Sequence, residues 1–372
     1  MKELIEKIVE ELKDYREEDN HKIEFDNVSA WINQFKEDDR KLVLEEMLNI
    51  FQKRYCTRND GITFLKQTID FSTKHFNYSS PNEFLAETQF LSLQELGKSQ
   101  TKFLELLKEV LKSHYGYDVD NHNPVIVKNY LYIDDILCTG NTLYQDITEW
   151  LNITESGKTR FQIIQEQNQR IIFSYIFLHQ KNYWKKIYQM KHNIGQIIVN
   201  YITMIRWIEI DNSSNKSSSK CEIVKPIETG LSERAIAYKK EICDSVDEYV
   251  DGKYNTTDDF FRPDTIPSTE EMFTSKENRD RLEKIFLEKG IEILDNTENV
   301  TKQQMRALGY SLPSYKDFGF GALCFTWRNV PNNTPLVFWY AGGGFVPLFE
   351  KNVREFDINE LIASMLNKND KA

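Results

Sequence analysis

The chain has 372 residues, of which 40% are hydrophobic and 28% are charged, and its formal net charge is -11. This composition is typical of a soluble globular protein with room for two or three domains, and it argues against nucleic-acid binding over the whole surface. No apolar run approaches the length of a membrane span. The five cysteines are odd in number and widely spaced, and the acidic, amphipathic N-terminus is unlike a signal peptide, so we expect a reduced, cytoplasmic compartment.

Residues 1–76 are predicted to form a helical N-terminal region. Apolar residues recur at helical spacing near the N-terminus, a second helix is expected over 30–35, and a third over 38–55. Three aromatic residues of these helices are expected to pack together: Trp31, Phe35 and Phe51. Without a recognition-helix signature, the region is interpreted as a helical cap or partner-binding module.

The next stretch combines a predicted strand over 84–93 with a predicted helix over 101–112. Gly97, Lys98 and Ser99 stand at the start of that helix, where backbone N–H groups can bind an anion. The segment lacks the first glycine of a P-loop. Two interpretations stay open, an anion-binding loop and a helix N-terminus with a solvated lysine.

The strongest signal lies within residues 129–144. An apolar run predicts a buried strand that ends in two adjacent carboxylates, Asp134 and Asp135, and a helix is predicted over 143–151. The turn between them contains four residues with donor groups: Thr139, Gly140, Asn141 and Thr142. Backbone N–H groups in such a turn form an anion site, and glycine lets a phosphate approach closely. The carboxylates would repel a phosphate and suit sugar hydroxyls or a Mg²⁺ ion nearby. The alternative is an ordinary core strand and turn.

The run from Ile133 to Thr142 resembles the phosphoribosyl-diphosphate (PRPP) motif of type I phosphoribosyltransferases. In that family four apolar residues precede two acidic ones, then come two apolar residues, one variable residue and Thr-Gly-x-Thr. The resemblance implies that Asp134 and Asp135 face the ribose hydroxyls, that residues 139–142 hold the 5′-phosphate, and that Mg²⁺ accompanies PRPP as cofactor. The predicted fold class is α/β, a type I phosphoribosyltransferase-like parallel sheet core with an N-terminal helical region and a C-terminal α+β extension.

The same resemblance assigns further features. Gly97, Lys98 and Ser99 stand in the right order for the pyrophosphate loop, and residues 115–123 look short for the lid loop of catalytic relatives. Some purine enzymes of the family carry an aspartate before Thr-Gly as a general base. Cys138 stands there in this chain, which disfavours ordinary 6-oxopurine salvage.

Two more elements complete the predicted core. Residues 170–178 are typical of a strand buried on both faces, with His179 at its carboxyl end, where open parallel sheets bind ligands. His179 is either a ligand contact or a structural residue. Basic and aromatic residues alternate over 181–192, on a helix that either touches a nucleic-acid backbone or is a solvated helix packed on the sheet. In the second case three side chains would face the sheet: Trp184, Ile187 and Tyr188. Residues 197–210 are rich in strand formers.

A hydrophilic linker or long loop over 212–220 is predicted to end the 77–211 core and to open a C-terminal α+β extension over 212–372. Helices are expected in this extension over 232–249 and 278–294.

Near its end, strand candidates over 318–327 and 336–339 flank a turn rich in proline and asparagine. Four residues there are candidate readers of a base edge or a diphosphate: Arg328, Asn329, Asn332 and Asn333. The alternative is that they only make a hairpin turn. Arg328 would also help Lys98 and Mg²⁺ to neutralise pyrophosphate.

This end of the chain resembles a divergent phosphoribosyltransferase-like group of bacterial conflict and anti-phage systems, including some retron operons. The matching segments are Leu308-Gly309-Tyr310, Asn329–Asn333, Trp339 and Pro347-Leu348-Phe349. The resemblance implies an anti-phage effector that uses or binds PRPP or a nucleotide. The alternatives are a catalytically silent nucleotide-binding sensor or scaffold in a complex with a reverse transcriptase and its DNA, and a plain nucleic-acid-binding module built on 181–192.

Overall fold

The computed structural model describes residues 1–19, 22–94, 99–121, 124–214, 219–253, 256–298 and 304–350. The helices are α1 (Lys2–Glu11), α2 (Phe25–Asn33), α3 (Glu37–Arg54), α4 (Arg58–His75), α5 (Pro81–Ala86), α6 (Ser99–Tyr115), α7 (Asn141–Asn152), α8 (Arg160–Glu166), α9 (Gln180–Asn193), α10 (Glu233–Val250), α11 (Lys276–Asp295) and α12 (Leu336–Trp339). The strands are β1 (Tyr55–Cys56), β2 (Thr88–Phe90), β3 (Asn129–Leu137), β4 (Thr154–Glu155), β5 (Lys158–Thr159), β6 (Arg170–His179), β7 (Ile202–Ile210), β8 (Thr257–Asp258), β9 (Tyr315–Lys316) and β10 (Phe325–Thr326). Short 3₁₀ turns occupy Glu17–Asp19, Val119–Asn121 and Gln196–Tyr201. Within these ranges, none of the helices has both the length and the apolar character needed to cross a bilayer.

The centre of the molecule is a four-stranded parallel sheet in the order β2-β3-β6-β7. Nearly every residue of β3 and β6 is buried, as expected for parallel strands covered on both faces. Because all four strands run the same way, their carboxyl ends meet at one edge of the sheet. The loop that follows β3 and the residue His179 that ends β6 therefore lie at this edge.

Different layers cover the two faces of the sheet. On one face, apolar residues of α7, α8 and α9 pack against Tyr130 and Tyr132 of β3. On the other face, Leu131 and Ile133 join a larger core that contains α4, α6 and much of both ends of the chain. The alternation along β3 reflects the two-residue period of strand side chains.

The N-terminal helices and the C-terminal segment are packed against each other. Strands β1 and β10 pair in parallel, and the indole Nε1 of Trp31 donates to the carbonyl of Val337 at 2.7 Å. Trp31 packs on Phe35 as predicted, whereas the ring of Phe51 lies against Phe325 and Phe349. Residues of all three predicted regions thus share one core, and the domain boundaries near 76 and 211 remain predictions.

Most predicted elements are confirmed. Helix α6 matches the prediction over 101–112, α7 that over 143–151, and α10 and α11 the two helices of the C-terminal region. Strand β6 matches the buried strand predicted over 170–178. The strand-rich run over 197–210 begins as a 3₁₀ turn and becomes β7 from Ile202 onward.

Two local predictions are corrected. The strand predicted over 84–93 is instead helix α5 followed by the three-residue β2, because Ser80 caps α5 by accepting from the Glu83 N–H and Pro81 occupies its first turn. The second strand candidate of the C-terminal turn, 336–339, is the buried helix α12, and β10 pairs with β1, so no hairpin forms in this part of the structure. The linker or long loop predicted over 212–220 lies partly outside the described residues; at its described start the side chain of Asn212 accepts from the Lys181 N–H.

Candidate functional site

The loop after β3 has the geometry of an anion-binding turn. Gly140 has φ of 71°, in the left-handed region that favours glycine, and it is the N-cap of α7. The N–H of Asn141 is bonded to the Thr139 hydroxyl at 3.4 Å. The helix begins at Asn141, so the N–H groups of its first turn have no intrahelical partner and face the loop side.

Lys186 of α9 lies directly behind this turn. A Cβ atom added to Gly140 would come within 2.9 Å of the Lys186 Cγ, so only glycine fits this contact. Lys186 is 5% exposed. Its ammonium donates to the Gln189 amide oxygen at 3.0 Å and lies 5.4 Å from the centre of the Tyr144 ring, in the first turn of α7. Burial, and then the charge of Lys185, lowers the pKa of Lys186 to about 8. A buried ammonium without a carboxylate partner among the described residues therefore lies beside the predicted phosphate loop.

Asp134 is buried and its carboxylate is fully engaged by the chain. Its Oδ2 accepts from the Gln94 amide at 2.8 Å, and its Oδ1 accepts from the Ser99 hydroxyl and the Asp135 N–H, both at 2.9 Å. Burial first, and then repulsion by Asp135, raises the pKa of Asp134 to about 7. These donors lower the pKa, but their effect is smaller than that of burial.

Asp135 is completely buried and faces the C-terminal segment. Its Oδ2 accepts from the Asn329 amide at 3.1 Å and from the Thr326 hydroxyl at 3.4 Å, and it lies 3.7 Å from Nη2 of Arg328. Two buried atoms at this point have no hydrogen-bond partner among the described residues, the Asp135 Oδ1 and the Arg328 Nε. Buried polar atoms without partners are rare, and these two belong to residues that approach each other through other atoms, the Asp135 Oδ2 and the Arg328 Nη2. A donor would satisfy the Asp135 Oδ1, and an acceptor would satisfy the Arg328 Nε.

The two carboxylates lie on opposite faces of the sheet. The regular register of β3 with β6 continues through Asp134 and Ile136, so consecutive side chains alternate. Asp134 contacts Gln94 and Ser99, whereas Asp135 contacts the turn at 326–329. One Mg²⁺ ion therefore cannot be held by both carboxylates in this geometry, because Mg²⁺ needs several oxygen ligands at about 2.1 Å. Asp134 and Asp135 together therefore do not fit a resident Mg²⁺ site.

A pocket opens beside the loop at the carboxyl edge of the sheet, and Thr139 lines it. Its charged lining includes Lys181, Lys225 and Asp259. Lys225 forms an ion pair with Asp259, and Lys181 lies 3.4 Å from the same carboxylate. Burial opposes the ionisation of Asp259, but the two lysines hold its pKa below the ordinary value. Two cations thus share one carboxylate next to the anion-binding turn. Aromatic side chains complete the wall: Phe260, Tyr315, Phe318 and Phe320.

The other predicted site residues are dispersed. Gly97 and Lys98 lie outside the described residues, whereas Ser99 opens α6 with its hydroxyl on Asp134. Asn329 reaches Asp135, and the Arg328 guanidinium also donates to the Ser99 carbonyl. Asn332 and Asn333 are both bonded to Tyr310 instead, the former through its carbonyl and the latter through its amide. These two asparagines fix the C-terminal loop.

The prediction that Trp184, Ile187 and Tyr188 of α9 pack on the sheet is wrong for two of these three residues. Trp184 and Tyr188 are 58% and 71% exposed, whereas Ile187 is buried as expected. Whether this helix touches nucleic acid stays a prediction. His179 is fully buried, and its Nδ1 lies 2.8 Å from the Leu137 carbonyl.

Sequence reasoning did not single out four residues that the structure brings to the site: Gln94, Lys186, Lys225 and Thr326. For Lys186 a signal existed. The residues at 183, 187 and 190 have the spacing of one helix face, and Lys186 lies on it.

The chain is a phosphoribosyltransferase-like protein by its family match, and its structure is a mixed α/β fold with a four-stranded parallel sheet. The chain belongs to the PRTase-CE family, which it matches over residues 28–351. No match was found among curated proteins or among solved structures.

Proposed function

We propose that the chain binds PRPP or a nucleotide, with the 5′-phosphate in the turn formed by residues 139–142. The observation that carries this proposal is the turn itself, a left-handed Gly140 at the head of α7 with the buried ammonium of Lys186 behind it. The backbone N–H groups and the helix dipole attract an anion, and Lys186 supplies the charge. A dianionic phosphate would raise the lowered pKa of Lys186.

The sugar is proposed to meet Asp135 rather than both carboxylates. Ribose hydroxyls would donate to the Asp135 Oδ1 and accept from the Arg328 Nε, two buried atoms without a hydrogen-bond partner among the described residues. Asp134, whose oxygens are engaged by Gln94 and Ser99, would then hold the end of β3 in place. The rest of the ligand would extend past Thr139 toward the pocket with Lys181 and Lys225.

Phosphoribosyl transfer would break the bond from ribose C1 to pyrophosphate through an oxocarbenium-like state. The chain's part is to hold the phosphate and hydroxyls rigidly and to neutralise the leaving group. Mg²⁺ would arrive with the diphosphate of PRPP, since Asp134 and Asp135 do not hold it together. Lys98, outside the described residues, stays the predicted partner of pyrophosphate together with Arg328.

The biological role we propose is that of an effector in bacterial anti-phage defence. The support is the resemblance of the C-terminal segments, and two of these segments pack on each other in the fold. A Cβ on Gly309 would come within 2.5 Å of the Asn333 backbone, so the Leu-Gly-Tyr and asparagine-rich segments form one unit. Phage plating on cells with and without the gene and its neighbours tests this role. Equal plating efficiency would contradict it.

A second candidate is a catalytically silent nucleotide-binding sensor or scaffold, with a reverse transcriptase–DNA complex as partner. The favouring observation is that Asp134 and Asp135 accept hydrogen bonds from the chain itself and point to opposite faces of the sheet. A catalytic diol clamp would need both carboxylates to turn to one ligand.

One experiment separates the two candidates. Purified protein is given PRPP, Mg²⁺ and a panel of nucleobase and amine acceptors, and pyrophosphate release and PRPP binding are measured in parallel. A transferase releases pyrophosphate, and the double variant Asp134→Asn/Asp135→Asn abolishes the release. Binding without turnover favours the sensor, and the absence of both rejects the proposed ligand. The control variant is Asp244→Asn, an exposed carboxylate on α10.

A further inference from the structure

Three potential metal ligands meet at the carboxyl edge of the sheet. Cys138 follows β3, His179 ends β6, and Cys324 immediately precedes β10. One ligand atom of each residue lies within 4.8 Å of the other two, and all three residues are buried. The residues are far apart in sequence, so spacing gave no sign of the cluster. None of the five cysteines forms a disulfide.

The hydrogen bonding of His179 fixes a tautomer suited to metal binding. Its Nδ1 lies 2.8 Å from the Leu137 carbonyl, which can only accept, so Nδ1 carries the proton and donates. The lone pair is then on Nε2, a buried atom without a hydrogen-bond partner among the described residues. Metal-bound histidines usually have this arrangement, with the other ring N–H given to a backbone carbonyl or carboxylate. The ring is held further by the edge of Phe320, with centroids 4.9 Å apart.

We infer that Cys138, His179 and Cys324 form a zinc-binding site. Thiolate and imidazole ligands suit Zn²⁺, and two thiolates with one neutral imidazole balance the charge of the ion. Neutrality matters because an uncompensated charge in a buried site is costly. A monovalent ion such as Cu⁺ would leave one negative charge in the same site.

The distances are compatible with this ion after a small adjustment. With Zn–S near 2.3 Å and Zn–N near 2.0 Å, two ligand atoms of one zinc lie about 3.5–4 Å apart. Ligand atoms that are now up to 4.8 Å apart would have to approach by about 1.3 Å at most. Such closure needs rotamer adjustment rather than a new backbone path. Three ligands leave a fourth position for water or another group.

The ion would link parts of the chain that carry the candidate ligand site. Cys138 directly precedes Thr139 of the anion-binding turn, and Cys324 precedes the segment that reaches Asp135. Zinc would therefore fasten the C-terminal segment to the ends of β3 and β6. This inference does not rest on the proposed function, because zinc binding is measured without PRPP.

The test begins with the full-length wild-type protein, purified under reducing conditions from zinc-supplemented cells. Elemental analysis should find about one Zn²⁺ per chain. After chelation, titration with Co²⁺ should give ligand-to-metal absorption from two thiolates and visible bands of a four-coordinate ion, saturating at one equivalent. These spectra report the ligands directly, so a failure of variants to fold does not remove the test.

Variants then assign the ligands. Cys138→Ser and Cys324→Ser should each remove about half of the thiolate absorption, and His179→Gln should weaken Co²⁺ binding at least tenfold. The control is Cys221→Ser, which removes another buried thiol outside the cluster. Absence of stoichiometric metal binding in the reduced wild type would overturn the inference. Thiolate bands that persist unchanged in both cluster variants, or that fall equally in the control, would overturn it too.

Discussion

Replacing Lys186 by methionine should separate ligand binding from stability. The side chain is 5% exposed, and burial lowers its pKa from 10.5 to about 8. Such a shift corresponds to about 3 kcal/mol at most, and screening by nearby solvent reduces the cost of the buried charge to about 1–2 kcal/mol. Methionine keeps the apolar stem that packs against Gly140. We therefore expect Lys186→Met to leave the ligand-free protein equally stable or stabilise it by about 1 kcal/mol.

The same substitution should weaken binding of a phosphate. A hydrogen bond to a charged group contributes about 1.5–3 kcal/mol, which corresponds to about a ten- to hundredfold loss of affinity for PRPP. Urea unfolding gives the stability and isothermal titration with PRPP and Mg²⁺ gives the affinity, both at pH 7. Lys191→Met on the same helix is the control and should change neither. Unchanged affinity, or a ligand-free protein destabilised by more than about 1 kcal/mol, would refute this role for Lys186.

Three further substitutions test the site. The Gly140→Ala substitution should destabilise the protein by about 1–2 kcal/mol and lower its affinity for PRPP, because a φ of 71° is strained for alanine and the added Cβ would contact Lys186. Urea unfolding measures the stability, and titration with PRPP measures the affinity. Arg328→Met should cost about 3 kcal/mol in urea unfolding because it leaves Asp135 buried without its nearby cation. Asp134→Asn should change the pH dependence of stability. Because the pKa of Asp134 is raised in the folded protein, its protonation stabilises the fold at low pH, and this stabilisation is lost as the pH rises through about 7. The difference in unfolding free energy between wild type and the variant should therefore decrease from pH 5 to pH 8, by at most about 1.4 kcal/mol per pH unit.

Each of these three predictions would be contradicted by a specific result. For Gly140→Ala the matched control is Gly116→Ala, since Gly116 has a similar φ of 63° and open space around it. An equal loss of PRPP affinity in both variants would argue against a contact between PRPP and residue 140. For arginine, unchanged stability in Arg328→Met would show that Asp135 needs no cation. For the aspartate, parallel pH profiles would mean that residue 134 does not titrate between pH 5 and pH 8.

The elements of the core were predictable because their patterns are local. Strand β6 is an uninterrupted apolar run, and α7 follows a glycine turn with helical spacing of its buried residues. The extent of β3 was not predictable in the same way. Two adjacent carboxylates indicate the end of a strand, yet the strand continues to Leu137, since partners far along the chain bury both side chains.

Tertiary contacts account for the remaining differences. On α9, hydrophobicity predicted that Trp184 and Tyr188 would be buried, but the buried face contains Tyr183 and Lys186. The reason is that the apolar stem of Lys186 packs against Gly140. The partners of Asp135 are almost two hundred residues away in sequence and could be found only by folding the chain. The motif placed Asp134 and Asp135 together in one predicted site, but it did not predict that their side chains lie on opposite faces of the sheet.

The most direct test of the central claim is a crystal structure of the protein with PRPP and Mg²⁺. We expect the 5′-phosphate to accept hydrogen bonds from the backbone N–H groups of the turn at 139–142, with Lys186 nearby and a ribose hydroxyl between Asp135 and Arg328. A phosphate bound elsewhere, or a turn left empty at saturating PRPP, would contradict the account.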